Sequence, residues 1–119
     1  MPKKKFYALC RYKDKADGLM KLGYLPREGF DVPNEFNLDL VVYRTEKEGD
    51  WKANFKRVKV WYVVDCDCGL QIGEGETKNK AIENALFHLN DIDFEMYKKK
   101  SQDVREQYGD PPGKRISYL

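Results

Sequence analysis

The spacing of apolar and polar residues from Phe55 to Leu89, FKRVKVWYVVDCDCGLQIGEGETKNKAIENALFHL, changes period once, from two to about 3.6, and so predicts a ββα unit. Successive strand residues face opposite sides, so Val58, Val60, Tyr62 and Val64 share one face and Arg57, Lys59, Trp61 and Val63 the other. The first set is expected to be core. Trp61 then stands with Arg57 and Lys59 in a mixed aromatic and basic patch that could meet a partner, the alternative being that the loop from Pro26 to Glu35 or the C-terminal tail covers it. Asp67, Cys68 and Gly69 make a turn, and Leu70 and Ile72 start a short returning strand that ends at Gly73, Glu74 and Gly75.

Thr77 then caps a helix, with Glu74 and Glu76 near its positive end. Ile82, Ala85, Leu86, Leu89 and Met96 follow the helical period and form one core-facing stripe. At about 100° per residue, Phe87 and Phe94 fall nearly opposite Ile82 and Leu89, as a second, outward apolar pair. Asp93 lands inside the core stripe, so a bend near Asn90 and Asp91 is the alternative, and it would turn Phe94 inward.

Upstream, Lys5 to Tyr12 alternates with Phe6, Ala8, Cys10 and Tyr12 on one face, a first strand. Asp14 is expected to cap a short helix through Leu22, ended by Gly23 and Pro26. Pro26 to Glu35 has two prolines, Gly29 and no period, which predicts a surface loop anchored by Phe30. Phe36 to Thr45 alternates Leu38, Leu40 and Val42 against Asp39, Val41 and Tyr43, a half-buried strand that pairs antiparallel with the next run. After Lys98 a charged helical segment runs to Tyr108, and residues 109–119 are expected to form a flexible tail. The fold class is therefore α+β, a single domain over residues 1–119: an antiparallel sheet of about four strands with one long C-terminal helix packed on it.

Composition narrows the functional classes. With 119 residues, 41% hydrophobic and 13% aromatic, the chain can bury one modest core. A net charge of +2 is too small for a dedicated nucleic-acid binder and has the wrong sign for a DNA mimic. The distribution is more telling: Met1 to Lys15 and Trp51 to Trp61 are basic, whereas Asp65 to Glu95 is mainly acidic. No apolar run follows the basic N-terminus, no stretch reaches the ~18 apolar residues of a spanning helix, and the three cysteines suit a reducing compartment. A cytoplasmic protein is expected.

Cys66 and Cys68, with His88 and Cys10, are the candidate metal ligands, but CDCG lacks the C-x-x-C spacing of structural zinc sites, and no metal or other cofactor is expected. His88 is the single histidine, no cysteine or serine has a nucleophile-type setting, and GEGE lacks the lysine of a phosphate loop. No enzyme is expected. The residues assigned to a partner are Arg57, Lys59, Trp61, Phe87 and Phe94, because arginine and exposed aromatic side chains anchor interfaces.

Two resemblances bear on function. Gly73, Gly75, Thr77, Lys78, Ala81 and Ala85 are similar to the C-terminal half of a double-stranded-RNA-binding domain, although Asn79 and Ile82 replace two of its phosphate-gripping lysines. This resemblance implies duplex RNA binding through Lys78 and Lys80. WYVVD, Gly69, Gly75, Thr77, Ala81, Ile82 and Ala85 resemble the ββα unit of small accessory proteins of phages and mobile elements. That likeness implies a stoichiometric binder of a host protein or nucleoprotein, such as an inhibitor of a defence nuclease. Non-catalytic binding is the expected function, with duplex RNA binding as the alternative.

Overall fold

The computed structural model describes residues 3–48, 51–54, 56–109 and 111–112. The chain runs β1 (Lys4–Lys13), β2 (Met20–Val32), β3 (Leu40–Glu48), a 3-10 turn (Trp51–Ala53), β4 (Arg57–Asp65), β5 (Leu70–Gly75), α1 (Lys78–Asp91) and α2 (Phe94–Tyr108). The five strands are antiparallel and lie in chain order, each beside its sequence neighbour. The α+β class holds, with five strands in place of about four and two helices in place of one.

Both differences have local causes. Asp14 caps a turn, not a helix: its carboxylate accepts from the Ala16 N–H at 2.8 Å, Asp17 accepts from the Leu19 N–H at 2.9 Å, and Lys21 bridges both acids. Gly18 completes the reversal at φ 73°, in the left-handed region. The chain then enters β2, which runs through Pro26 and the expected loop to Val32. Proline is tolerated there because β2 has only β1 beside it until pairing with β3 begins at Phe30. The long helix divides at Ile92 and Asp93, where the Asp93 carboxylate accepts from the Glu95 N–H at 3.0 Å and starts α2. Thr77 caps α1 as expected, accepting from the Lys80 N–H at 3.1 Å.

The central strands are buried on both faces, in contrast to the half-buried strand expected. Leu40, Val42 and Val63 join Ile72, Ala81, Ala85, Leu89 and Tyr97 in a core beneath the helices. Val41, Tyr43, Val64 and Cys66 pack instead against Phe6 and Ala8 of β1. The molecule therefore has three layers: the β1–β2 hairpin, the β3–β4–β5 sheet, and the helices. The alternation along β4 is as expected, but α1 covers the face that holds Val63 and Trp61, while the hairpin covers the face of Val64. In the α1 stripe, Ala85 and Leu89 are buried and Met96 is exposed, because α2 begins with a new rotation after Asp93.

Close backbone approach fixes both junctions. A Cβ on Gly29 would lie 2.4 Å from the Val42 carbonyl oxygen and 2.7 Å from Val41 Cγ1, so β2 can cross β3 only at a glycine. On the other side, a Cβ on Gly73 would lie 2.7 Å from Ala85 Cβ, and one on Gly75 2.6 Å from the Ala81 nitrogen. Small residues on both partners thus let α1 rest directly on β5.

A buried polar bond pins α2. Tyr97 donates its hydroxyl to Asp65 at 2.6 Å, and Asp65 also accepts from the Asp67 N–H at 2.9 Å. Burial pushes the Asp65 carboxyl above its usual range, against the downward pull of these bonds, and burial also raises the Tyr97 phenol. Of the expected tail, Gly109 and Pro111 are held: the Gly109 carbonyl accepts the Tyr24 hydroxyl at 2.7 Å, and Pro111 is fully buried. Residues 110 and 113–119 lie outside the described residues.

Gly73→Ala should lower stability by about 1–3 kcal/mol, since the added methyl must displace α1; urea unfolding measures this as a lower midpoint at unchanged slope. Tyr97→Phe should cost about 1.5–3 kcal/mol at a pH where Asp65 is ionised, since it leaves the charged carboxylate short of a donor. A raised folded pKa means the native protein holds the Asp65 proton more tightly than the unfolded chain. The contribution of Asp65 to stability therefore falls as pH rises from the ordinary carboxylate range through the folded value. Losing the Tyr97 donor raises that value further, so the deficit of the variant should be largest above it and shrink as pH falls.

Candidate functional site

The β1–β2 hairpin lies over the β3–β4–β5 sheet without closing against it. β1 and β5 each have one strand neighbour among the described residues, and the Leu9 N–H donates to the Gly69 carbonyl at 3.1 Å at the point where they approach. From there a cleft of about 640 Å³ opens, walled by Leu9, Cys10 and Arg11 of β1, Met20, Leu22 and Arg27 of β2, and by residues of β3, β4 and β5 including Tyr43, Arg57, Tyr62 and Gln71.

The floor is aromatic and hydroxylic. The Tyr43 and Tyr62 rings lie 5.9 Å apart, and Cys10 Sγ is 4.0 Å from the Tyr43 hydroxyl. Burial raises both phenols above their ordinary value, with Cys10 adding to the effect at Tyr43, so both remain protonated at neutral pH. The walls are basic. Arg57 pairs with Glu46 at 3.8 Å, and Lys47 with Glu74 at 2.7 Å. Arg11 is exposed and Arg27 donates to the Pro26 carbonyl at 2.8 Å; neither has a carboxylate partner among the described residues. Hence the two basic stretches of the sequence meet here, Arg11 from the first and Arg57 from the second.

Apolar side chains crown the same end. Leu19, Met20 and Leu22 at the start of β2 are exposed, and the last two line the cleft. Trp51, on the 3-10 turn between β3 and β4, is 73% exposed, with Lys52 Nζ 5.7 Å from its ring centroid. Apolar groups in water at two hairpin tips beside arginine and tyrosine match the composition of interface anchors.

The residues assigned from sequence are scattered over the surface. Arg57 lines the cleft and Lys59 is exposed on the same strand. Trp61 is half-buried against the core beneath the helices, between Arg44 and Gly75 in the ladder. Of the two readings of this face, the covered one describes Trp61, and the core it packs against is the one beneath α1. Phe94 turns inward, 6.0 Å from the Phe36 ring and 6.1 Å from the Tyr97 ring, as the bend at Asp93 requires. Phe87 is 72% exposed on α1. Lys78 rests over the Phe30 ring at 4.3 Å and Lys80 pairs with Glu83 at 3.7 Å.

The four candidate metal ligands are dispersed. Cys66 lies in the core under β1, Cys68 is fully buried, Cys10 lines the cleft and His88 is exposed on α1. Among the described residues, no three His, Cys, Asp or Glu side chains form a group able to hold a metal ion. Sequence reasoning missed Arg11, Arg27, Tyr43 and Tyr62 as a group, since a helix expected at Asp14 to Leu22 removes the hairpin that brings them together. The available signal was the pair of aspartates around Gly18, which favours a tight reversal.

No helix among the described residues is long and apolar enough to cross a membrane. No protein-family model, curated protein or solved structure matches the chain.

The cysteines should separate cleanly in a labelling experiment. Burial pushes the Cys68 thiol up to about 11, and Cys66 is also buried, whereas Cys10 is partly open to the cleft. At pH 8 one thiol per native chain, Cys10, should react with a disulfide reagent, and the other two only on unfolding; mass mapping of the labelled peptide checks the assignment.

Proposed function

We propose that this is a non-catalytic binding protein of the cytoplasm, which captures a partner with the end of the molecule where the two hairpin tips flank the open cleft. The observation that carries the reading is the exposure of Met20 and Leu22 on the rim of a cleft also lined by arginine and tyrosine. Large apolar side chains gain by leaving water, and a stable partner supplies that gain where the fold does not. Of the residues expected from the sequence at the interface, Arg57 lines the cleft and Phe87 stands as a separate exposed position on α1. Trp61 and Phe94 act in this reading as packing residues. The likeness to accessory proteins of phages and mobile elements supports a host protein or nucleoprotein, such as a defence nuclease, as the captured species.

Duplex RNA binding through Lys78 and Lys80 draws less support from the geometry. Lys78 is engaged over the Phe30 ring and Lys80 is paired with Glu83, so both must leave an existing contact to reach phosphates.

The test is capture from a host lysate, with and without nuclease treatment, by the wild-type protein, by Met20→Ser with Leu22→Ser, and by Phe87→Ser. These substitutions are at exposed positions and should shift stability by less than about 0.5 kcal/mol. A nuclease-resistant species retained by wild type and by Phe87→Ser, but lost from the double variant, is the expected result. Loss with Phe87→Ser alone transfers the contact to α1 and removes the cleft from the assignment.

A further inference from the structure

The geometry points to an extended, acidic segment of a partner protein, with apolar residues between its carboxylates, as the occupant of this cleft; the inference rests on the binding role proposed above and names the chemistry of the partner. Charge complementarity is the first support. Arg11 and Arg27 reach the cleft from β1 and β2 with no carboxylate partner among the described residues. Arg57 and Lys47 stand on the opposite wall, and the carboxylates near them, Glu46 and Glu74, are already engaged by these two cations. Tyr43 and Tyr62 line the floor, with the Tyr43 hydroxyl facing Cys10 Sγ at 4.0 Å. The lining therefore offers hydrogen-bond donors and positive charge in excess, and a guanidinium forms its best-oriented pairs with planar carboxylates.

The shape of the gap favours an extended chain. Among the described residues β1 and β5 each have one paired edge, and their facing edges meet at the Leu9–Gly69 bond and then leave room for Cys10, Arg11 and Gln71 to line the cleft. Strand edges of this kind accept a further strand through main-chain hydrogen bonds, with alternate side chains falling on opposite sides. In the hairpin register Arg11 shares a face with Leu22 and Met20 while Arg27 lies on the other face, so an added strand would turn successive side chains alternately toward Arg11 with its apolar neighbours and toward Arg27.

Single-stranded nucleic acid shares the negative charge but fits the lining less well. Bases bind by stacking on exposed aromatic faces; Tyr43 in the lining is only 5% exposed, with its ring enclosed by Phe6 and Tyr62, and the exposed Trp51 is not among the residues that line the cleft. The apolar rim also has no counterpart on a phosphate backbone.

Selection of a random dodecapeptide library displayed on phage against the full chain tests the assignment. Recovered peptides should carry aspartate or glutamate interleaved with apolar residues and lose at least about tenfold in affinity for Arg11→Glu with Arg27→Glu. Blocking Cys10 with a bulky thiol reagent should weaken them as well, and the thermal midpoint of each protein confirms that it is folded. Recovery of no peptides, recovery without acidic enrichment, affinity unchanged in the double variant, or displacement by oligothymidine at lower concentration than by free peptide each overturns the inference. A lysate species captured through Met20 and Leu22 together with any of these four results leaves the binding role standing and removes only the acidic segment.

Discussion

The constraint on which this structure depends is that its central strands are apolar on both faces. Val41 and Val42 are adjacent on β3, and Val63 and Val64 on β4, so each pair must point in opposite directions, yet all four are essentially inaccessible. A sheet of this kind needs a cover on each side. The helices supply one, and the β1–β2 hairpin, folded back over its own sheet, supplies the other. At about 1.5–3 kcal/mol for a fully buried aliphatic side chain, leaving either face open would cost a large part of a typical domain's stability.

Covering two faces with so few residues requires close approach, and the glycines show where. Gly29 lets β2 pass over β3, while Gly73 and Gly75 let α1 lie against β5 at Ala81 and Ala85. The glycine-rich run before the helix thus has a packing explanation independent of any ligand. The polar counterpart is the Asp65–Tyr97 bond, which ties the last residue of β4 to α2 through a low-dielectric interior. Asp65 also receives the Gly69 N–H through its carbonyl at 2.7 Å, and Gly69 in turn accepts from Leu9. One turn therefore joins the helical layer to the hairpin layer and fixes the closed end of the cleft.

The legible part of the fold was the part with a local signature. Alternation along β4, the turn at Gly69, the return in β5 and the Thr77 cap all depend on residues close in sequence, and Asp93 marked the break between the helices because a carboxylate does not belong in a core stripe. Alternation alone, however, does not say what covers each face. The pattern from Val58 to Val64 leaves Trp61 either open or covered, and only the position of α1 decides between the two. β2 was hidden for a similar reason. Its Pro26 and Gly29 are breakers by propensity, but the edge position of one and the crossing at the other reverse their meaning. The cleft was illegible because Arg11, Arg27, Tyr43 and Tyr62 are brought together by that unseen strand.

The β1–β2 hairpin is a long ladder, paired from Lys4–Gly29 to Lys13–Met20, but its backbone seam to the rest is short. In the backbone it is joined by the three pairs from Phe30 to Val32 and by the Leu9–Gly69 bond, with Phe6 and Ala8 as its main apolar footing. Such a unit forms a cooperative subdomain whose detachment exposes far less surface than global unfolding. The two walls of the cleft thus belong to different unfolding units, and an occupant that touches both would act as a cross-brace, stabilising the seam in proportion to how tightly it binds the closed form.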